Sequence, residues 1–365
     1  MLSKDSILVT GGAGFIGTNF IKYLLDTYKD TKVICLDKLT YAGNLRNLSK
    51  ELEQERFTFV KGDIANTEIV EHILKEDINC IVNFAAESHV DRSIKDSQIF
   101  LKSNIFGTHN LLECARKKWE LGENKFKDNV RFIHISTDEV YGSIKQGSFN
   151  EMTSLDPRNP YSASKASSDL IVKSYMHTHN FPAIITRCSN NYGPYQFPEK
   201  LIPLMINNIL KARGLPVYGD GSNIRDWIYV MDHCKAIDLI RQKGQIKDVY
   251  NIGGDSEITN IELVKLIIDK MKLLAKEDKY KTFFEDSKKV NYDLIKFVKD
   301  RKGHDKRYSM NFSKLNKNLN WKPEANFEQG IDLTVRWYLD NIKWMKDITS
   351  GNYQTYYEKM YGGIL

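Results

Sequence analysis

Short, nearly unbroken apolar runs recur along the chain at 7–10, 32–36, 56–60, 80–84, 130–135 and 183–187. Runs of this length without polar alternation fit strands covered on both faces, as in a parallel sheet. Between them, 18–28, 67–75, 103–118 and 166–179 space their apolar residues as helices do. Strand and helix taking turns predict an α/β chain built on a Rossmann doubly wound parallel sheet. The punctuation changes after Cys188, where residues 189–203 are dense in Asn, Gly and Pro. There, near Asn190, the chain is expected to leave the sheet for a smaller α/β C-terminal lobe. Residues 1–189 would form the first lobe, with 226–255 returning to it, and 190–225 and 256–365 the second. In that second lobe 201–213 reads as a helix, 216–218 as a short strand and 276–289 as a charged, solvated loop or helix.

The polar residues that interrupt this pattern are placed where chemistry needs them. The first strand opens into Gly11-Gly-Ala-Gly14-Phe-Ile-Gly17, a helix follows, and the second strand ends at Asp37. Strand, glycine turn, helix, strand and terminal acid together form a dinucleotide fingerprint. Gly11 permits the turn, Gly14 lets backbone approach a pyrophosphate, and Gly17 lets helix and strand pack closely. The helix start offers unpaired N–H groups to the phosphates. Asp37 suits ribose hydroxyls and would repel a 2′-phosphate, which favours NAD over NADP. Asp63 closes the third strand and either accepts from an adenine amino group or caps the helix after it. Ala85 and Ala86, at the end of the fourth strand, are small enough for cofactor to lie against backbone.

A second constellation follows residues 130–135: Thr137, Asp138 and Glu139 at the carboxyl end of a strand, then Tyr161 and Lys165 at the start of a helix. In an open α/β sheet that edge is where ligands bind. Residues at i and i+4 share a helix face, so Tyr161 and Lys165 can address one small molecule. The Lys165 ammonium is expected to lower the phenol's pKa and make Tyr161 a base near neutrality. Redox and acid–base chemistry on an alcohol fits these groups.

Charge and composition trim the possibilities. The net charge of +6 arises from 53 basic and 47 acidic residues. The lysines are scattered, which fits a solvated surface and not a nucleic-acid stripe. No apolar run is long enough to span a membrane, and the first strand starts too early to leave room for a signal peptide. The five cysteines, Cys35, Cys80, Cys114, Cys188 and Cys234, are odd in number and lack metal spacing. Buried reduced thiols in a cytoplasmic protein are expected. The histidines show no metal pattern.

With these residues in this order, the chain resembles the extended short-chain dehydrogenase/reductases, and among them the dTDP-glucose 4,6-dehydratases, from residue 7 to about 344. The glycine turn and the Tyr161/Lys165 pair are shared across the superfamily. The stretches 37–44, 85–92, 136–142, 189–203 and 225–227 look like dehydratase versions, Thr137-Asp138-Glu139 most specifically. The resemblance implies conversion of dTDP-glucose to a 4-keto-6-deoxy sugar with bound NAD, in which C4 is oxidised, water leaves across C5 and C6, and hydride returns to C6. Tyr161 would take the 4-hydroxyl proton, Thr137 hydrogen-bond that oxygen, Glu139 act as base at C5 and Asp138 as acid at C6. It adds Phe15, Ile16, Lys38, Leu39, Thr40, Ile64, Ser88, Ser103 and Asn191 to the cofactor contacts, with Tyr161 and Lys165. It makes the second lobe substrate-binding, through Asn190, Lys200, Leu201, Pro216, Val217, Tyr218, Arg225, Asn260, Arg301 and His304, with His89 and Thr137 from the first. Arg225, Arg301 and Lys200 would meet the diphosphate. Lys302 replaces the family's usual proline, and Ser103 a threonine. The helices at 103–118 and 166–179 would pair with a second subunit in a homodimer.

A 4-epimerase or a UDP-glucuronate decarboxylase has no use for the acid pair, because only a dehydratase must move protons at both C5 and C6. A UDP-glucose dehydratase is not separated by these residues. A catalytically dead relative serving as an NAD sensor or scaffold should have lost Tyr161, Lys165, Asp138 or Glu139, and all four are present.

Overall fold

The apolar runs assemble into one sheet of seven parallel strands in the order Val249–Ile252, Ala183–Cys188, Arg131–Thr137, Cys80–Asn83, Ser6–Thr10, Lys32–Asp37, Phe57–Lys61. The computed structural model describes residues 5–300, 303–350, 353 and 357. Along the first strand Ile7 and Val9 point into one core while Leu8 points into another. That two-sided burial is why the strands carry no polar alternation. On one face Phe15–Thr27 packs against Val230–Lys243, with Phe20, Leu24, Ile237 and Ile240 filling the space. On the other, Gly107–Trp119 packs beside Pro160–Thr178, with Leu111, Trp119, Val172 and Met176 buried. The chain reverses its direction of travel between Ser6–Thr10 and Cys80–Asn83. A ligand crevice is expected outside the carboxyl ends of those strands.

A third core lies C-terminal to the sheet's main run. Leu201–Leu210, Asn260–Leu274 and Phe327–Asp340 enclose Met205, Ile206, Leu263, Ile267, Val335 and Tyr338. Within the stretch 226–255 expected back in the first lobe, Val249–Ile252 joins the large sheet, whereas the strand Ile224–Tyr229 that opens it stands apart. Ile224–Tyr229 runs between Asn190–Tyr192 and Glu257–Thr259 in a separate three-stranded sheet. The alternation of its side chains explains the position: Ile228 packs with the first-lobe core and Trp227 with the third.

Other local differences have local causes. The helix at 201 ends at Leu210, since Ala212 turns to φ 47° and Arg213 N–H returns to the Asn208 carbonyl. The charged stretch 276–289 is pinned by Tyr280 and Phe284, which are buried in the third core. A parallel partner for Leu215–Tyr218, Ile295–Val298, was not evident from so short a run. The expected helix at 103–118 begins as a π-helical segment, Leu101–Phe106, and continues as Gly107–Trp119.

Candidate active site

At the carboxyl ends of the central strands lies a cavity of about 320 Å³ that takes in the glycine turn at one end and Thr137, Asp138, Glu139, Tyr161 and Lys165 at the other. The glycine turn is built as its sequence requires. Gly11 sits at φ 68°, and a methyl group on it would stand 2.7 Å from the Ala85 backbone. A methyl on Gly17 would meet the Gly11 carbonyl at 2.5 Å. Gly14 starts the helix with no side-chain cap and no acid in the first turn, so its amides open on the cavity.

The adenosine end is organised by carboxylates. Asp37 is buried, and its two oxygens accept Ala13 N–H at 2.9 Å and Leu39 N–H at 2.7 Å. Burial pushes its pKa up, opposed by those two amides. Asp63 accepts from Ala65 N–H and pairs with Lys38 at 2.8 Å. It does not cap the following helix, a role that falls to Asn66. Phe15, Ile16, Lys38, Thr40, Ile64, Ala85, Ala86, Ser88, Ser103 and Asn191 line the same cavity, whereas Leu39 does not. These residues fit a dinucleotide: a cradle that any Cβ would fill, bare amides for phosphates, and a buried acid at the ribose position.

At the other end the strand Arg131–Thr137 delivers the acid pair into a one-turn 3₁₀ helix, Asp138–Tyr141. Thr137 caps that turn by accepting Glu139 N–H, and donates its hydroxyl to Asp138 Oδ1 at 3.0 Å. Asp138 is 1% exposed, and burial beside the Glu139 charge raises its carboxyl well above the ordinary range. Its Oδ2 has no hydrogen-bond partner among the described residues. Glu139 is half-buried and receives the Asn159 amide at 3.4 Å. Asn159 also caps the helix Pro160–Thr178 through a capping box with Ser162. Asn followed by Pro is a helix-start signal, and it could have flagged this residue in the sequence.

Tyr161 and Lys165 sit one turn apart on that helix, as their spacing predicts, but the electrostatics differ from the expectation. Burial, then the Glu139 charge, raises the Tyr161 phenol well above its usual value; a hydrogen bond from Thr137 opposes the shift. The Lys165 ammonium donates to the Ile135 carbonyl at 2.7 Å, and burial lowers its pKa to about 8. In the protein alone, therefore, Lys165 does not make Tyr161 acidic.

Three of the expected substrate residues, Thr137, Asn190 and Lys200, line the cavity. His89 stands behind its wall, capping the helix Val90–Lys95, with Nε2 3.5 Å from Glu199. Arg225 is also outside, donating to the carbonyls of Ile224 and Asp305 and lying over the Tyr308 ring. Leu201 begins the helix Leu201–Leu210 and Asn260 the helix Asn260–Leu274. Pro216, Val217 and Tyr218 belong to the strand beside Ile295–Val298, and His304 meets Asp300 at 2.6 Å and the Tyr218 ring. None of these lines the cavity. Arg301 and Lys302 lie outside the described residues.

Sequence reasoning missed Glu87, Gln196 and Glu199 in the cavity wall. Glu199 is buried, accepts the Tyr41 hydroxyl at 2.8 Å, and has its Oε2 3.5 Å from His89 Nε2 and 3.8 Å from Arg92 Nε. Burial raises its pKa, opposed first by Lys200. A lone Glu in a turn-rich stretch carries no signal of such burial.

Comparison with known proteins now decides the family. Residues 8–334 match the family model described as GDP-mannose 4,6 dehydratase. The dTDP-glucose 4,6-dehydratase of Salmonella typhimurium is 45% identical over 370 residues, 98% of this chain and 99% of that protein. This chain belongs to the dTDP-glucose 4,6-dehydratase family. Among solved members, that from Bacillus anthracis in complex with NAD is 46% identical with a TM-score of 0.82, covering 94% of this chain and 99% of that one. The Streptomyces venezuelae dTDP-glucose 4,6-dehydratase, also solved with NAD, is 43% identical with a TM-score of 0.84 over the same shares.

Proposed function

We propose that this chain converts dTDP-glucose to dTDP-4-keto-6-deoxyglucose and water, as an NAD-dependent dehydratase supplying deoxysugar biosynthesis. The observation that supports this best is the pairing, in one cavity with Tyr161, of a buried carboxyl whose pKa burial raises (Asp138) and a half-buried neighbour (Glu139). Epimerisation at C4 would need neither.

Gly11, Gly14, Gly17, Asp37 and Asp63 would hold NAD along the glycine turn, and Lys165 and Ser103 its other end. NAD, when bound, would supply the oxidant for C4, the same two electrons for C6 and a positive charge that favours an ionised phenol. Tyr161 takes the 4-hydroxyl proton as C4 becomes a carbonyl, while Thr137 holds the oxygen. That carbonyl makes the C5 proton acidic enough for a carboxylate to remove. Glu139 takes it, and Asp138 gives its own proton to the departing C6 hydroxyl, which leaves as water. Glu139 then returns the proton to C5. Lys200 and Asn190, which line the cavity, would hold the nucleotide sugar.

Ile94, Ile99, Leu101, Phe106 and Leu170 are exposed apolar side chains on adjacent helices, and we assign that face to a homodimer. The lobes would divide near Asn190, residues 1–189 and 226–255 holding cofactor and 190–225 and 256–365 the nucleotide sugar; Val230–Lys243, packed on Phe15–Thr27, accords with that division. A cytoplasmic location accords with five buried, unpaired cysteines. No helix among the described residues is long and apolar enough to cross a membrane.

Incubation of the purified protein with dTDP-glucose should yield a product one water lighter that absorbs in alkali as a 4-keto sugar. Deuterium placed at C4 should arrive at C6. Formation of dTDP-galactose would replace this reading with epimerisation. Parallel incubations with UDP- and GDP-glucose test the choice of base.

A further inference from the structure

Behind the cavity, between the helix that carries Tyr161 and Lys165 and the turn that carries Asp138 and Glu139, lies a fully buried charged cluster that the mechanism does not use. Asp169 is one turn beyond Lys165, and Arg187 comes from the strand Ala183–Cys188; neither is exposed to solvent. Arg187 Nε donates to Asp169 Oδ2 at 2.8 Å, and its Nη1 donates to the Tyr141 hydroxyl at 2.8 Å. The Tyr141 hydroxyl in turn donates to Asn251 Oδ1 at 2.8 Å, and Asn251 donates to the Phe149 carbonyl at 3.1 Å. Tyr141 is the last residue of the single turn whose first two residues are the acid pair. His134 completes the cluster, with Nε2 3.5 Å from Asp169 Oδ1 and its ring held neutral by burial.

An ion pair in a dry interior is costly, and apolar residues of the same volume commonly fill such a space with no loss of stability. Here the pair joins the helix of Tyr161 and Lys165 to the strand Ala183–Cys188, and from that strand Arg187 reaches Tyr141 in the turn of the acid pair. From their own side Asp138 and Glu139 are held by a single 3₁₀ turn capped by Thr137, by the Thr137 hydroxyl on Asp138 and by a long contact from the Asn159 amide on Glu139. A tyrosine two residues on, gripped from behind, holds the turn from the other.

We propose that Asp169, Arg187 and Tyr141 are positioning residues: they lock the turn Asp138–Tyr141 onto the helix Pro160–Thr178, so that the elimination groups stay aligned with a sugar held by Tyr161. The inference rests on the dehydratase reading and sharpens it, because it assigns the cluster to one half of the reaction. Oxidation at C4 uses Tyr161 and Thr137, which the helix and the strand hold directly. Elimination uses Asp138 and Glu139, which the cluster holds. Loosening the cluster should slow the second half more than the first.

Asp169→Asn would leave a buried guanidinium without its counter-charge and is liable not to fold. Tyr141→Phe removes one hydroxyl and keeps the ring stacked on Phe149 at 5.0 Å, so it is the informative variant. Quenched single turnovers with dTDP-glucose, resolved by mass, separate the oxidised but undehydrated sugar from the final product. Tyr141→Phe is expected to shift that ratio toward the undehydrated 4-ketone by about 10- to 100-fold, the scale of a displacement near 1 Å at a reacting group. KM should hold at the parent value. A variant that melts earlier but partitions as the parent does would overturn the inference, since the cluster would then serve the fold alone. A parent enzyme that makes no 4-keto sugar would overturn the dehydratase reading and the inference together.

Discussion

Burial divides the labour between Asp138 and Glu139. Both follow the same strand, yet Asp138 is buried, which raises its pKa, while Glu139 lines the cavity half-buried with a long amide contact from Asn159. Glu139→Gln removes the base without changing shape. The variant is expected to form the 4-ketone, seen as reduced nicotinamide absorbance that persists, and to lose about 10²–10⁴-fold in product formation. Product at the parent rate would show that the C5 proton leaves by another route. Lys165 sets a different test. Its amine, lowered to about 8 by burial, loses its charge as pH rises through that value, so C4 oxidation should decline above about pH 8. The groups facing it are Asp169 and Cys188, which raise its pKa, with His134 and Arg187 close by and the Ile135 carbonyl accepting from it. Removing the Asp169 charge lowers the pKa further, so an Asp169→Asn preparation that folds should show its alkaline limb at lower pH. An unmoved limb would assign that titration to some other group. These charges were invisible in the sequence, where the ammonium was expected to act on Tyr161. Helical spacing tells that two side chains share a face; it does not tell that a carbonyl across the sheet captures one of them.

At the scale of elements, the strands and glycine turn were legible because each is a local requirement. A two-sided strand must be apolar throughout, and a backbone at φ 68° against Ala85 must be glycine. Gly11→Ala brings both penalties together, the left-handed backbone and the contact at 2.7 Å, costing about 1–3 kcal/mol for the backbone alone. Thermal melts should show that loss, and NAD titration a weaker affinity; a variant that binds NAD as the parent does would mean that the turn has room to relax. Elements defined by distant partners were not legible. The π-helical segment Leu101–Phe106 is one: Asn104, inside it, donates to the Glu87 carbonyl and to Ser164 Oγ and accepts Glu87 N–H. Such bulges recur at functional sites, and this one puts Ser103 in the cavity while tying the loop after Cys80–Asn83 to the helix of Tyr161. Residues 276–289 read as solvated because charged side chains dominate the composition, while two aromatic rings decide the packing.

For the whole molecule, the arrangement of cores leaves one question that the single chain does not satisfy. Phe106 is 63% exposed and Leu170 58%, and both project from the helices that cover the first-lobe sheet, beside Ile94, Ile99 and Leu101. Scattered apolar residues on a surface are ordinary, but a cluster spread over neighbouring helices is the mark of a covered face. A stable association buries about 1,200–2,000 Å² in total, with apolar side chains at its centre. Two copies meeting through these helices would place Phe106 and Leu170 there, and the interface would be self-complementary about a two-fold axis. The same helices carry Tyr161 and Lys165 on their inner side, so a dimer would also stiffen the site from outside. The parent should therefore sediment as a dimer at micromolar concentration. The double variant Phe106→Glu, Leu170→Glu puts like charges opposite one another across that axis and should sediment as a monomer, with its far-ultraviolet circular dichroism unchanged because both positions are exposed within one chain. A parent that sediments as a monomer, or a double variant that still dimerises, would move the contact elsewhere.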